Sequence, residues 1–269
     1  MTSWQKAVKY CAIAFAVLLI VSIIGGILTA VGSLNFVFGG STSVGDMKTY
    51  EVSGDITGLY IEVGAAELVI TEGNTLSVDS NLNNLTVKED GGRLSIRETG
   101  HSFFADRRRS LVLSVPEGYI FEKTEISTGA GKVTVGSLSA DELKLELGAG
   151  EVTVGNLTAS KSADIDGGAG RIEINGGELH NPEIDIGAGA LVYTGRIVGK
   201  GEINSGVGSS SIVLLGSRTD YLIDVNKGLG AVTVDGSKAS EGDRIGSGEN
   251  LVEIDNGVGA MTVSFREAD

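Results

Sequence analysis

The motif Gly-x-Gly recurs at Gly129, Gly148, Gly168, Gly187, Gly206, Gly228 and Gly257, in steps of 19, 20, 19, 19, 22 and 29 residues. An early relative, "GAAELVI", begins at Gly64. A fixed period near 20 marks a chain that stacks one small unit on the next, and it restricts the fold more than any single residue does. Such a period is too short for two helices per unit and suits two or three short strands joined by turns. After the glycines come alternating apolar residues: Val133/Val135, Val152/Val154, Ile172/Ile174, Val232/Val234 and Met261/Val263. Period two in such side chains predicts a strand with one face buried. Three positions before the first glycine stand Ile61, Ile126, Leu145, Ile165, Ile184, Ile203, Val225 and Ile254, a branched aliphatic in every copy. With coils ~4.8 Å apart these residues form one internal ladder. The glycines belong to the corners, where the chain needs positive φ or close backbone approach.

The expected fold is therefore all-β: a β-solenoid resembling a parallel β-helix, with coils of about 19–22 residues over 119–269. An antiparallel sandwich has no need of in-register repeats. Residues 49–118 repeat less clearly. "YEVSGDITGLYIEVG", "NNLTVKEDGGRLSIRE" and "SLVLSVPEG" read as strands with turns at "DGG" and "PEG". They are expected to form irregular first coils and a cap, because an open solenoid end exposes strand edges.

The stretch "SLVLSVPEGYIFEKTEISTGAGKVTVGSLSADELKLELGAGEVTVGNL" resembles bacterial envelope proteins of the toastrack, or putative-adhesin, type. The shared pattern is an aliphatic strand, Val-Pro, then serial Ile-x-x-Gly-Ala-Gly-x-Val-x-Val units, and the likeness extends over Tyr50 to Asp269. It implies a membrane-tethered domain associated with envelope stress systems, and it supplies no catalytic residue.

Tyr10 to Val31 carries no charge over 22 residues, which as a helix spans roughly 33 Å, enough to cross a bilayer. Lys6 and Lys9 are the only charged residues before Asp46. The positive-inside rule then predicts a cytoplasmic N-terminus over 1–9, a transmembrane helix over 10–31, a linker over 32–48 that includes "GGSTSVG", and a solenoid outside the cell membrane. The rival is a cleaved secretory signal ending at "AVG", Ala30 to Gly32, for which the apolar core is long. Ser22, Gly26 and Ala30 form a small-residue stripe through which two helices could approach, so a homo-oligomer stays open. Cys11 is the only cysteine, which excludes an intrachain disulfide.

The glycine motifs do not carry chemistry. "GAGK", Gly129 to Lys132, looks like the end of a phosphate-binding loop, but Ile126 stands where that loop needs glycine and Val133 where it needs serine or threonine. "GGAGRI", Gly167 to Ile172, has the glycines of a calcium roll with Ile172 in place of the ligand aspartate. His101 and His180 lack zinc-ligand spacing. No catalytic, metal or cofactor site is expected, and the chain reads as a non-enzyme.

Charge gives a better lead. The chain holds 21 Lys and Arg against 35 Asp and Glu, a net −14. Such a surface repels nucleic acid and favours cationic partners. Two outward columns flank the internal ladder. The one two residues before Gly-x-Gly reads Glu62, Ser127, Glu146, Asp166, Asp185, Asn204, Asn226, Asp255. The one four residues before reads Tyr60, Glu125, Lys144, Asp164, Glu183, Glu202, Asp224, Glu253. On a strand both share one face. The candidate interaction stripe is thus Glu146, Asp164, Asp166, Glu183, Asp185, Glu202, Asp224, Glu253 and Asp255, and its structural counterpart is a solvated, solubilising face. A second candidate is "HSFFADRRRS", where Phe103, Phe104, Arg107, Arg108 and Arg109 form a basic, aromatic loop suited to anionic lipid or wall polymer. The bland alternative packs the phenylalanines on the cap and pairs the arginines with local acids. The functional expectation is a membrane-anchored envelope interaction or stress-sensing module that binds envelope proteins, cell-wall polymer or cationic peptides. Its alternative is a passive, adhesin-like or self-assembling spacer.

Overall fold

The computed structural model describes residues 45–99 and 109–267. The anchor expected over 10–31 and most of the basic loop lie outside the described residues. Among those described, no helix is long and apolar enough to cross a membrane.

The described chain is all-β, with one short 3₁₀ turn at Arg218–Asp220. Successive coils pair parallel and in register. Ile184 stands beside Ile165 on one side and Ile203 on the other, and Ile203 stands beside Ile254. The eight aliphatic residues of the internal ladder are all buried, from Ile61 at 0% exposure to Leu145 at 5%. The alternating residues after the glycines are buried too, Val133 through Val263. From 120 to 198 the coil has a third side, lined by Leu138, Ala140, Leu157, Ala159, Leu179 and Ile197. One continuous apolar core thus runs the length of the stack, and each coil adds a layer to it.

Coil order in space departs from chain order at both ends. The strand Asn250–Arg266 lies between Lys200–Leu215 and Tyr221–Lys227, so Val225 pairs with Ile254 and not with Ile203. The N-terminal end mirrors this. Gly58–Ala65 lies between Arg93–Glu98 and the coil that begins at Ile120. Glu67–Gly73 lies likewise between Ser110–Pro116 and that coil. In both cases, of the two coils concerned, the one closer in sequence to the chain terminus takes the inner place and is paired on two sides.

The outermost coils are covered by antiparallel strands. Leu85–Asp90 pairs with Arg93–Glu98, and Ser77–Ser80 with Ser110–Pro116, at one end. Ser237–Ala239 pairs with Ala231–Val234, and Arg244–Gly246 with Tyr221–Lys227, at the other. Short antiparallel strands stop a parallel stack from growing, as the exposed-edge argument requires.

Inward positions are not uniformly apolar. Ser205 replaces the isoleucine of the neighbouring coil at Ile186, and Ser210 the leucine at Leu191. The two serines are buried and hydrogen-bond each other at 3.2 Å. One layer on, Asn256 is fully buried and donates to the carbonyls of Ala231 and Gly259 at 3.3 Å. The Ala231 bond ties the inserted final strand to the coil outside it.

Candidate functional site

The two outward columns share one face of the solenoid, as alternation along a strand demands. Register makes them rungs. Glu183 stands opposite Asp164 and Glu202, and Asp185 opposite Asp166 and Asn204. Insertion of the final strand reorders the far end: Glu202 meets Glu253, and Glu253 meets Asp224.

Most of the ladder carries its own counter-charges. Lys144 reaches Asp164 at 3.1 Å, Glu146 at 3.3 Å and Asp166 at 3.9 Å. Lys200 bridges Glu202 at 2.6 Å and Glu253 at 3.1 Å. Arg244 meets Asp224 at 3.3 Å. The carboxylates hold the Lys144 and Lys200 ammonium groups above the usual lysine range, with Asp164 the main cause for the first and Glu202 for the second. These pairs are solvent-exposed and each contributes modestly to stability.

The middle differs. Among the described residues no cation lies within ion-pair distance of Glu183 or Asp185, though Asn204 donates to Asp185 at 2.7 Å. Glu183 titrates above the ordinary glutamate value, chiefly because of the Asp185 charge beside it, then through desolvation and through Glu202, Asp164 and Asp166. Asp166 is raised too, first by desolvation and then by Asp164. A carboxyl whose folded-state pKa is raised destabilises the fold above that pKa. The penalty disappears as pH falls below the ordinary value, 4.5 for Glu183. Glu183→Gln should therefore raise Tm by about 1–3 °C at pH 7, the scale of one exposed charge contact, and leave Tm unchanged below about pH 4. Thermal scans at the two pH values check this.

Glu125 and Asp141 go the opposite way. Glu125 titrates low, held down first by a hydrogen bond from Lys123 and also by Arg93 and Lys144. On the third side Lys161 and Ser160 hold Asp141 low. His180 hydrogen-bonds Glu178 at 2.9 Å. Among the described residues no group of His, Cys, Asp and Glu is arranged to hold a metal ion.

The second candidate divides. Phe103, Phe104, Arg107 and Arg108 lie outside the described residues. Arg109 does not behave as an exposed loop arginine. Its side chain is 9% exposed and pairs with Glu98, itself 3% exposed. It also donates to the Ala65 carbonyl at 2.6 Å, while Glu98 accepts from the Gly64 N–H at 3.0 Å. On the outer side of this corner no Gly-x-Gly backbone among the described residues covers Gly64 and Ala65. The Glu98–Arg109 pair supplies the missing donor and acceptor. Arg109 is thus part of the end cap, and its burial removes it from the binding surface expected of it.

The family model described as Toastrack DUF4097 matches residues 56–211. The chain belongs to the Toastrack DUF4097 family. The match begins at Ile56, before the first inserted coil, and ends within Lys200–Leu215, so the last coils of this toastrack chain lie beyond it. Similar solved structures include one named as a putative adhesin from Bacteroides fragilis, at 13% identity and a TM-score of 0.40, covering 82% of this chain and 96% of that one. Another, named as a putative cell adhesion protein from Clostridium sporogenes, has 13% identity and a TM-score of 0.29 over 82% and 99% of the chains. A third, named as a putative lipid binding protein from Parabacteroides distasonis, has 17% identity and a TM-score of 0.30 over 84% and 98%. Likeness at this level carries no functional argument. No curated protein matches the toastrack sequence.

Proposed function

We propose that this toastrack chain is a non-enzymatic interaction module of the cell envelope, tethered to the membrane through residues 10–31 with its N-terminus cytoplasmic, and that its acidic face engages cationic partners such as basic peptides or basic segments of envelope proteins. A role in sensing envelope stress fits the same tethered arrangement. The observation that carries the reading is the run of rungs Asp164/Asp166 and Glu183/Asp185, where like charges are stacked in register and Glu183 and Asp185 have no cation of their own among the described residues. A rigid array of this kind favours bound positive charge, which relieves the repulsion without reorganising the protein.

The second reading is a passive or self-assembling spacer. The antiparallel strands at both ends weigh against edge-to-edge growth, because they remove the open parallel edges that such growth would use.

The test joins charge reversal to binding. Glu183→Lys with Asp185→Lys should weaken binding of a decalysine peptide to the full-length chain at least tenfold and flatten its salt dependence, with Tm unchanged or raised. Unchanged affinity would sink the acidic-face reading. Sizing of the same protein over a range of concentrations separates the spacer: concentration-dependent growth that survives the charge reversal favours assembly. Protease protection in sealed vesicles tests the tether, and digestion of the N-terminal tag together with the solenoid from the same side overturns the topology.

A further inference from the structure

A different part of the same face carries a site. In the column two residues before the glycines, Ser127 has the shortest side chain. Glu62 stands beside it in register, and the stacking of Gly148 over Gly129 sets Glu146 on its other side. Three coils span roughly 10 Å between the flanking glutamates. The short serine leaves a hollow of about 310 Å³ there, walled by Tyr60, Glu62, Glu125, Lys144 and Glu146. That volume lies within the range of small-ligand sites, ~300–1,000 Å³. A second hollow of about 140 Å³ adjoins it through the shared Glu125, between Gly58, Gly92, Arg93 and Lys123.

Two properties of these walls decide what fits. The first is rigidity. The Arg93 and Arg97 guanidinium groups each sit 4.6 Å from the Tyr60 ring centre, and the Tyr60 hydroxyl donates to Glu62 at 2.8 Å. The aromatic wall is fixed before anything binds, which lowers the entropy cost of binding. The second is charge balance. Glu62 pairs with Arg97 at 3.3 Å, Glu125 with Lys123 at 2.8 Å and Arg93 at 3.1 Å, and Glu146 with Lys144 at 3.3 Å. A charged ligand would meet a like charge beside every counter-charge. A hydroxyl would not be repelled, because it both donates and accepts and so bridges a carboxylate and its ammonium or guanidinium partner while both stay in place. Each carboxylate keeps spare lone pairs for this purpose.

We propose that the hollow at Ser127, with its extension past Glu125, binds a neutral polyhydroxylated ligand, a sugar unit or short glycan. The site is distinct from the carboxylate rungs at Glu183 and stands whether or not those rungs bind cations.

The experiment is an amide NMR titration of the full-length chain, kept in solution with a non-glycosidic detergent. The neutral probes are maltose, cellobiose and diacetylchitobiose, and the charged probes are lysine, glutamate and inorganic phosphate. At least one disaccharide should give saturable shifts centred on residues 60–62, 125–127 and 144–146. Ser127→Gln fills the hollow without adding charge, at a position whose equivalents in other coils include Asn204 and Asn226, so folding is preserved. It should weaken binding at least tenfold with Tm unchanged. Glu183→Lys with Asp185→Lys should leave sugar binding as it was, which separates this site from the acidic-face reading. Three results each overturn the proposal: no saturation by any sugar at roughly 50 mM, far above a weak Kd near 1 mM; a charged probe that binds more tightly than every sugar; or a Ser127→Gln protein that binds as well as the parent.

Discussion

Gly189→Ala should cost more than about 4 kcal/mol or abolish folding. Two independent costs coincide at that residue. Its φ of +144° lies in a region that side chains rarely adopt. A Cβ there would also fall under 3.0 Å from the carbonyl oxygen of Gly170, with that residue's carbonyl carbon and nitrogen similarly close. All three neighbours are backbone, so no side chain can swing away. The obstruction does not end with one coil, because the corner of Gly208 rests on Gly189 in the same way. Shifting one corner opens the pairing of the coils on both sides, and a stack held by nearest-neighbour contacts transmits that loss along its length. Gly118→Ala is the control. Its φ is +72°, but no atom lies within 4 Å of the added Cβ, so it should cost only about 1–2 kcal/mol. Urea unfolding followed by circular dichroism compares the two. Equal losses would show that backbone conformation alone, and not the stacking of corners, governs the glycine requirement.

Arg109→Met should destabilise the fold by about 3–5 kcal/mol, because it leaves the Glu98 carboxylate buried beside the Gly64–Ala66 corner without its cation. Replacing both partners, Glu98→Gln with Arg109→Met, should recover part of the loss. An amide can still accept from the Gly64 N–H, and no isolated charge remains. A double-mutant cycle of unfolding free energies measures the coupling. If Arg109→Met were neutral, the pair would not be capping the corner. The expected loss is local to one end, so hydrogen exchange in the double-sided strand Gly58–Ala65 should rise before that in Pro182–Val198.

Much of the architecture was legible because it rests on periodicity. Ile61 through Ile254 could be picked out as an internal ladder from position relative to the glycines alone, and every member is buried. The outward columns followed from the same count, since a strand that buries Ile184 must expose Glu183 and Asp185. Arg109 shows where this kind of inference stops. In sequence it extends the run Arg107-Arg108-Arg109 and looks like its neighbours. Its burial follows from a corner more than forty residues away, at Gly64 and Ala65, which no local pattern reveals. The hollow at Ser127 was visible only as a break in the acidic column. Its walls combine Tyr60, Glu125 and Lys144 from three coils, and Arg93 and Arg97 from a fourth hold the Tyr60 ring.

The repeat, the strands within it, the residues that face inward and the glycines that turn the corners all follow from local pattern along the chain. Each of these depends on nearby residues and on a period that any stacked coil must respect. The order of the coils at the two ends is instead set by long-range strand pairing. Val225 and Ile254 are equivalent in pattern, and either coil could pair with Ile203. The final strand takes the inner place because there both of its edges find backbone partners, while the coil it displaces outward carries the hairpin strands Ser237–Ala239 and Arg244–Gly246 that close the stack.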